Sequence, residues 1–327
     1  MVQNESTARY DQPKSGKTLN GGRKEGLLQV GVGRAIAHHG ELLQGVFEGE
    51  DGRLHRGLVT LPLAARKSTV TFWPNGEGAI RCRPANRKKA ARAAALTFNH
   101  LGYSKVGGDL TLESDIPVGH GYGSSTADVI AAIRAAAAAA GVILRRSTVC
   151  KLAVEAEEAS DAIAYGDQVV LFAHREGLIL EHFGGEYPPL LVVGFRIGRA
   201  RPIATLRLPR ARYDGQEIEQ FRVLRGLTSH AVRQQDPRLI GRVATASARI
   251  SQHHLAKPRF EAAVKLAEEH GACGIQVAHS GTLLGVLFDA DERGVAARAA
   301  VLAETLGQAG FLGIMTFTVN VDGTLLQ

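Results

Sequence analysis

A loop rich in glycine and hydroxyl side chains joins a predicted strand directly to a predicted helix, and this loop constrains the fold more than any other segment. Three alternating glycines are followed at once by three hydroxyl residues: Gly119, Gly121, Gly123, Ser124, Ser125 and Thr126. Glycine permits positive φ and lets the backbone approach a ligand closely. Free amides and the dipole at a helix start attract phosphate. A tight turn with a serine N-cap is the ordinary alternative, but this density of glycines and hydroxyls favours a phosphate-binding loop.

Other phosphate and nucleotide loops are excluded by their patterns. Neither GxxxxGKS nor GxxxxGKT occurs in the chain, which excludes a Walker-type loop. The Rossmann pattern GxGxxG fails at Ser124, and the loop comes late in the chain instead of opening the fold. The absence of HRD and DFG sequences excludes a protein-kinase fold.

Composition limits the class of protein. The 327-residue chain carries a formal net charge of +7 with 45% hydrophobic residues, which excludes wholesale disorder and suffices for one large or two medium domains. Three isolated cysteines without CxxC or Cys/His spacing argue against a zinc site or a disulfide framework, and they predict a reducing, cytoplasmic compartment. No apolar run reaches the length of a membrane span, and the first residues are too polar for a signal peptide. The positive charge is compatible with nucleic acid or an anionic substrate.

Apolar patterning divides the chain into three segments. Residues 1–26 are polar and lack apolar periodicity, which predicts a flexible tail. Residues 27–187 predict an N-terminal domain. The sequence Tyr187-Pro188-Pro189 is a break, after which residues 188–327 alternate strand and helix patterns and predict an α+β sandwich. The predicted strands are 27–32, 57–63, 68–73, 79–83, 109–116, 169–173, 178–182, 190–197, 272–278, 283–288 and 312–319. The predicted helices are 84–101, 126–140, 147–159, 215–235, 237–253, 258–270 and 292–308.

The loop and two further segments resemble the three motifs of the GHMP kinases. Pro117-x-x-x-Gly121-x-Gly123-Ser124-Ser125-Thr126-Ala127 is similar to the second motif, which wraps ATP phosphates in that family. Gly40-Glu41-Leu42-Leu43-Gln44-Gly45 resembles the first motif, in the form typical of the L-threonine kinases of cobalamin side-chain synthesis. Ala278-His279-Ser280-Gly281-Thr282 lies where the third motif is expected, and it is also closer to the threonine-kinase form.

The resemblance covers about 27–327 and implies a two-domain, GHMP-kinase-like α+β fold. An N-terminal ribosomal-S5-like β/α domain would bind ATP, and the C-terminal domain would be a ferredoxin-like α+β sandwich. The implied activity is phosphorylation of a hydroxyl group with ATP and Mg²⁺. L-Threonine, giving O-phospho-L-threonine, is the first expected acceptor, and homoserine or another hydroxy acid or alcohol is the next. A non-catalytic protein that binds anions or nucleic acid on this fold is the alternative.

The resemblance assigns the nucleotide and metal contacts to the loop and a following helix. The expected nucleotide-binding residues are Pro117, Gly119, Gly121, Tyr122, Gly123, Ser124, Ser125 and Thr126. Ser125 matches the magnesium ligand of the family, although a helix N-cap is its ordinary role. A glutamate usually completes this metal site, and Glu155 is our choice, with Glu157 and Glu158 as neighbours. A solvated helix face is the alternative for all three glutamates.

A catalytic aspartate is expected just before the predicted hairpin. Asp161 matches a Glu-Pro-Thr-Asp element of threonine kinases, and Asp167 is its rival; a buried carboxylate here can accept the proton of a substrate hydroxyl. Glu41 is expected at the mouth of the site, oriented toward an ammonium group or a water. The other expected acceptor-binding residues are His38, His39, Gln44, Ser280, Gly281 and Thr282. The two histidines occupy the stretch where several GHMP kinases carry a lysine, which leaves the acceptor open.

Two basic clusters carry much of the positive charge. The first is Arg81, Arg83, Arg87, Lys88, Lys89 and Arg92. The second is Arg196, Arg199, Arg201, Arg207, Arg210 and Arg212. Neither is interleaved with aromatic residues, so solvated faces or steering of ATP explain them better than nucleic acid, which we do not expect as a partner. Whether the chain forms a homodimer stays open.

Overall fold

The computed structural model describes residues 27–198 and 211–321. The predicted tail at 1–26 and Arg199, Arg201, Arg207 and Arg210 of the second basic cluster lie outside these residues. The described strands are β1 (Gly31–Glu48), β2 (Leu54–Asn75), β3 (Ile80–Arg83), β4 (Gly107–Ser114), β5 (Gln168–Ala173), β6 (Leu178–Glu186), β7 (Leu190–Arg196), β8 (Gly274–Val277), β9 (Leu283–Asp289) and β10 (Leu312–Val319). The described helices are α1 (Lys88–His100), α2 (Ser124–Ala139), α3 (Arg146–Glu157), α4 (Gly215–Gln234), α5 (Pro237–His254), α6 (Phe260–Glu269) and α7 (Val295–Gln308).

One mixed sheet runs through the described residues, in the order β10-β7-β9-β8-β1-β2-β4-β3. The pair β3–β4 is parallel and the other pairs along this path are antiparallel, while the hairpin β5–β6 joins the sheet through β2. The early and late strands meet where Glu41 of β1 lies opposite Val277 of β8. The sheet with its helices confirms the predicted α+β class, and the domain boundary near Tyr187 stays a prediction.

Strands β1 and β2 are much longer than the sequence predicted. The predicted strand at 27–32 begins instead at Gly31 and continues to Glu48, and the strands predicted at 57–63 and 68–73 are parts of one bulged strand, Leu54–Asn75. Residues 37–45 of β1 are all buried, because β1 is packed against both α2 and α5. A strand covered on both faces lacks the alternation of apolar and polar residues that marks a half-buried strand.

Helix α2 is rich in alanine and buried on nearly all sides. Added side chains at Gly31 or Gly33 of β1 would collide with the α2 backbone at Ala135 and Ala131. Small residues on both elements therefore let α2 lie directly against β1. This close packing fixes the first turn of α2, which begins where the glycine-rich loop ends.

The core forms two clusters of buried side chains. The larger one packs α1, α2 and α3 against the sheet and extends to α4 and α5, whereas the smaller one packs α6 and α7 against β7, β8 and β9. The helices predicted at 215–235, 237–253 and 258–270 correspond to α4, α5 and α6 to within two residues at each end. In the part of the chain that the structure describes, no helix is both long and apolar enough to cross a membrane.

Candidate active site

The glycine-rich loop borders a cavity of about 460 Å³. Gly119, Gly121 and Gly123 have φ values of 83°, 102° and 69°, in the region that side-chain-bearing residues rarely adopt. Helix α2 begins at Ser124, and Ser124, Ser125 and Thr126 line the cavity. The first turn of a buried helix is therefore at the cavity wall, where its free amides and dipole favour an anion.

Strand β1 holds the loop from one side. His38 N donates to Tyr122 O at 3.1 Å, and the imidazole of His38 lies so close to Gly123 that an added Cβ would collide with it. Glycine is thus required at position 123 for two reasons: the backbone has a positive φ, and the His38 ring leaves no room for a Cβ. The same contact brings His38 to the end of the loop, beside the start of α2.

The loop between β8 and β9 holds the glycine-rich loop from the other side. Thr282 N donates to His120 O at 3.1 Å, and a Cβ at Gly281 would collide with that carbonyl. Lys257 Nζ donates to Gly281 O at 2.8 Å, and burial lowers the pKa of Lys257 to about 8. Two glycine-containing loops therefore interlock, and a buried lysine supports them from behind.

Glu157, the last residue of α3, faces the hydroxyl groups at the start of α2. Ser125 Oγ donates to Glu157 Oε2 at 2.8 Å, and Thr126 Oγ1 lies 2.9 Å from Glu157 Oε1. Lys89 Nζ of α1 lies 3.8 Å from the same carboxyl group. Burial raises the pKa of Glu157 to about 7, although the hydrogen bond from Ser125 works in the opposite direction. A hydroxyl and a carboxylate side by side form an all-oxygen donor set of the kind that Mg²⁺ prefers.

This geometry does not support Glu155, the glutamate chosen from the sequence, as the partner of Ser125. It is exposed and does not line the cavity, whereas Glu157 is buried against Ser125. Buried positions of α3 include Val149, Ala153 and Glu157, spaced by four residues, so Glu157 lies on the buried stripe of the helix. This spacing was visible in the sequence and indicated that Glu157, not Glu155, is the buried glutamate.

His38, Glu41 and Asp161 form a second cluster, which adjoins the first because Thr126 Oγ1 lies 2.9 Å from Glu157 Oε1 and 3.3 Å from Asp161 Oδ2. His38 Nε2 lies 3.0 Å from Asp161 Oδ2, and His38 Nδ1 lies 3.8 Å from Glu41 Oε1. Burial works to lower the pKa of His38, but the Asp161 and Glu41 carboxyl groups outweigh burial and raise it to about 9. Burial works to raise the pKa of Asp161, yet the His38 imidazolium holds it below its usual range. Burial raises the pKa of Glu41 to about 8. The cluster therefore contains a His38–Asp161 ion pair beside Glu41, whose burial disfavours its charged form.

Two further histidines, His174 and His279, line the cavity near Asp161. His174 follows β5 in the hairpin turn, and His279 follows β8; their ring centroids are 5.4 Å apart. His279 Nδ1 lies 3.0 Å from Gln44 Oε1. Burial lowers the pKa of both imidazoles, that of His279 to about 3. Both rings are therefore neutral, in contrast to His38.

The structure brings most of the predicted site residues to one cavity. Its lining includes His38, Glu41, Gly119, Gly121, Tyr122, Gly123, Ser124, Ser125, Thr126, Asp161, Ser280 and Gly281. The predicted residues that do not line it are Pro117, His39, Gln44, Glu155, Asp167 and Thr282. Gln44 lies directly behind the lining, because it contacts His279, and Thr282 follows Gly281 of the lining. Asp167, the rival base, is exposed beyond the short helical turn that follows Asp161.

His39 is corrected from a substrate contact to a core residue. Neighbouring strand residues point to opposite faces, so His38 and His39 do not share the cavity. The His39 ring is fully buried against Tyr122 and Phe317, and Gln276 Nε2 donates to its Nδ1 at 2.8 Å. Burial lowers the pKa of His39 to about 3, as expected for a neutral core histidine.

Eight residues of the cavity wall were not among the predicted site residues. They are Leu58, Lys89, Val118, Glu157, Ala159, Ser160, His174 and His279. His279 lies inside the third motif and was visible there. His174 reaches the cavity through pairing of β5 with β2 and through Ser160 N, which donates to His174 O at 2.9 Å. Such contacts between distant segments leave no local signal in the sequence.

The first basic cluster is partly tied to carboxylates. Arg81 pairs with Glu77 at 2.7 Å, and Arg87 pairs with Asp128 at 3.3 Å. Lys89 is the member of this cluster that lines the cavity. The cluster therefore contributes one cation, Lys89, beside the glycine-rich loop. A positive charge at this place favours an anionic ligand.

Comparisons with known proteins agree with this site. The family model for the GHMP kinases N terminal domain matches residues 88–175, and the model for GHMP kinases C terminal matches residues 228–306. The chain is 31% identical over 282 residues to an L-threonine kinase of Salmonella typhimurium, covering 84% of this chain and 88% of the relative. An L-threonine kinase of Citrobacter freundii is 30% identical over 273 residues, covering 81% and 89%.

Solved structures share the fold at low identity. A homoserine kinase from Cytophaga hutchinsonii superposes with a TM-score of 0.68 at 15% identity, covering 91% of this chain and 96% of that one. The Methanococcus jannaschii mevalonate kinase gives a TM-score of 0.56 at 14% identity, covering 90% and 98%. Fold, cavity and relatives together define a phosphotransferase that acts on a hydroxyl group. The chain belongs to the GHMP kinase family, whose members use ATP as phosphoryl donor.

Proposed function

We propose that the chain is an ATP-dependent L-threonine kinase that forms O-phospho-L-threonine. The observation that supports this acceptor is the similarity to two L-threonine kinases over more than four fifths of the chain. Two neighbouring groups of cavity residues would serve the two substrates. We call residues 119–126 with Lys89 and Glu157 the loop side, and His38, Glu41, Asp161, His174 and His279 the histidine side.

The loop side would bind the phosphates of ATP. Backbone amides at the start of α2 and the positive end of its dipole suit the charge of a triphosphate, and Lys89 adds a cation. Contacts with β1 and with the loop between β8 and β9 hold these groups in place. Positioning and charge neutralisation of this kind supply most of the catalysis in phosphoryl transfer.

Ser125 and Glu157 would hold the magnesium ion. Their oxygen atoms lie side by side, and the buried carboxyl group of Glu157 has no bulk water to solvate its charge, so a cation would compensate it. When bound, magnesium neutralises developing charge on the transferred phosphoryl group. Thr126 donates to the same carboxyl group and keeps it oriented.

Asp161 would act on the acceptor hydroxyl. Its carboxyl group is partly open to the cavity, with 20% of the side chain exposed, while His38 Nε2 lies 3.0 Å from Oδ2. The ion pair with His38 makes Asp161 a weak base. It therefore orients the hydroxyl by accepting its hydrogen bond and takes the proton late, as the phosphoryl group arrives.

A screen of acceptors tests the proposed function. Release of ADP is measured with L-threonine, L-serine, L-homoserine and hydroxy acids without an amine, each with ATP and magnesium. We expect the highest kcat/KM with L-threonine. No acceptor-dependent ADP release with any of these compounds contradicts the proposal, and a clear preference for another acceptor contradicts the assignment of L-threonine.

Homoserine is the second candidate acceptor. A homoserine kinase of Clostridium botulinum is 42% identical to this chain, but only over 66 residues, which is 20% of this chain and 22% of that relative. The match covers too little of either chain to support a shared acceptor. A homodimer and a cytoplasmic location stay predictions, and the first is tested by sedimentation of the full chain.

A further inference from the structure

The loop side of the cavity has one basic side chain for two anionic partners. Among residues 27–198 and 211–321, Lys89 is the only lysine or arginine in the cavity lining. Under the proposed function it would contact the phosphates of ATP, yet its ammonium group lies beside the carboxyl group of Glu157. One ammonium group cannot compensate both the buried carboxylate and a triphosphate at the same time.

The contact between Lys89 and Glu157 matters more to the carboxylate than to the lysine. Lys89 Nζ lies 3.8 Å from Glu157 Oε2, and the two side chains are 50% and 2% exposed, respectively. The buried carboxylate needs a counter-charge, because little water reaches it. Water already solvates the exposed ammonium group, and a long ion pair of this kind contributes little energy. Lys89 can therefore leave Glu157 easily once another cation compensates the carboxylate.

The oxygen atom beside Lys89 also belongs to the proposed metal site. Ser125 Oγ donates to Glu157 Oε2 at 2.8 Å, so the hydroxyl and the ammonium group meet at one carboxylate oxygen. A divalent cation held by Ser125 and Glu157 would lie next to Lys89 Nζ, and like charges so close repel each other. Lys89 and the metal ion therefore compete for Glu157.

Only the side chain of Lys89 needs to move in this exchange. Lys89 is in the first turn of α1, and Arg87 at the start of that helix pairs with Asp128 of α2 at 3.3 Å. This ion pair ties the start of α1 to the helix whose first turn borders the cavity. The lysine ammonium group is carried on a flexible four-carbon stem. Nζ can therefore change partners within the cavity while the backbone of α1 stays in place.

We propose that Lys89 is a displaceable counter-ion, which compensates Glu157 until a metal ion binds there and then moves to the terminal phosphate of ATP. Metal ions in kinases bridge the β- and γ-phosphates, so an ammonium group displaced from the metal site is next to the terminal phosphate. There Lys89 stabilises the charge on the transferred phosphoryl group. This inference rests on the proposed function, since it places ATP and magnesium at the loop side.

Three variants separate the charge of Lys89 from its bulk and its position. Lys89→Met removes the charge and keeps most of the apolar stem, whereas Lys89→Arg keeps the charge. Lys88→Met is the matched control, because Lys88 is the neighbouring residue of α1, is exposed and does not line the cavity. Melting temperatures of the variants show whether each remains folded.

The first measurement is metal binding without nucleotide or acceptor. Mn²⁺ is the probe, because it shares the oxygen ligands of magnesium and its free form is counted by electron paramagnetic resonance. We expect Lys89→Met to bind Mn²⁺ about 5-fold more tightly than the wild-type protein, since the competing cation is gone. Lys88→Met and Lys89→Arg should stay within about 2-fold. Glu157→Gln should weaken Mn²⁺ binding, and adding Lys89→Met to it should not restore affinity.

The second measurement is nucleotide binding by calorimetry with excess magnesium. Lys89→Met should lose about 10-fold in affinity for a non-hydrolysable ATP analogue and stay within about 2-fold for ADP, which lacks the terminal phosphate. Lys88→Met should bind both nucleotides as the wild-type protein does. A merely structural role of Lys89 would not move the affinities for metal and nucleotide in opposite directions.

Unchanged or weaker Mn²⁺ binding in Lys89→Met overturns the inference, and so does Mn²⁺ binding that Glu157→Gln leaves unaltered. Equal losses for ADP and the ATP analogue overturn the move to the terminal phosphate. Neither measurement contains an acceptor. If both affinities shift as expected but L-threonine is not phosphorylated, the proposed function fails and the role of Lys89 stands.

Discussion

The two sides of the cavity are built in different ways. The loop side comes mainly from one contiguous segment, residues 119–126, and its groups are backbone amides and hydroxyls. The histidine side is assembled from β1, the segment after α3, the turn after β5 and the loop after β8. Its groups are buried and titratable, and their pKa values are shifted in both directions. Under the proposed function, the common phosphoryl donor would contact a local motif, whereas the acceptor would contact residues brought together by the whole fold.

The largest expected effect is on the histidine side. Asp161→Asn removes the carboxylate that we propose orients the hydroxyl and accepts its proton, and we expect kcat to fall by about 10²–10⁴-fold. Asp167→Asn is the matched control, because Asp167 is exposed and does not line the cavity. Steady-state kinetics with ATP and L-threonine measure both variants. A larger loss in Asp167→Asn would contradict the placement of the base.

The next effect should separate the loop side from the histidine side. Glu157→Gln keeps the size of the side chain but removes the charge beside Ser125, so we expect kcat/KM for ATP to fall by about 10–100-fold and more magnesium to be required. Glu155→Gln, an exposed change on the same helix, should leave both unchanged. Titration of magnesium in the kinetic assay measures this. Equal behaviour of the two variants would contradict the assignment of Glu157.

A third prediction concerns stability on the histidine side. The folded state raises the pKa of His38 to about 9, so it binds the His38 proton more tightly than the unfolded chain does. The stabilisation is complete below pH 6.5 and is lost as pH rises toward 9, by at most about 3 kcal/mol. His38→Gln should remove this part of the pH dependence. Urea unfolding at several pH values measures it, and His100→Gln, an exposed change, serves as control. A pH dependence unchanged in His38→Gln would contradict the ion pair.

The smallest effect should arise behind the cavity wall. Lys257→Met keeps most of the buried stem but removes the hydrogen bond to Gly281 O, so the interlocked loops lose one support. We expect KM for ATP to rise by about 3–10-fold, from the loss of one charge-assisted hydrogen bond. Lys265→Met, an exposed change on α6, is the control. A KM equal to that of the control would show that Lys257 is not needed to position the loops.

The same contrast explains what the sequence revealed. The glycine-rich loop was predicted because its ligand-binding groups are contiguous, and Asp161 was predicted from its resemblance to a family element. His39 was misplaced although strand alternation already separates it from His38. Glu155 was chosen although the four-residue spacing of α3 favours Glu157. His174 required the pairing of β5 with β2, a contact between distant segments that no local pattern contains.

The fold shows a related limit. Amphipathic helices such as α5 were predicted to within two residues, because one face is apolar and the other polar. Strand β1 was predicted incompletely, since residues 37–45 are buried on both faces and carry no alternation. That same stretch contains His38 and Glu41, so two residues of the histidine side come from the part of the strand without alternation.

The most direct measurement follows the phosphoryl group itself. The protein is mixed in excess over ATP that carries a radioactive γ-phosphate, with magnesium and with or without L-threonine, and the products of a single turnover are separated. We predict that the label moves into O-phospho-L-threonine only when L-threonine is present, and that Asp161→Asn slows this transfer strongly. Label that appears as inorganic phosphate at the same rate with and without L-threonine would contradict the joint action of the two sides.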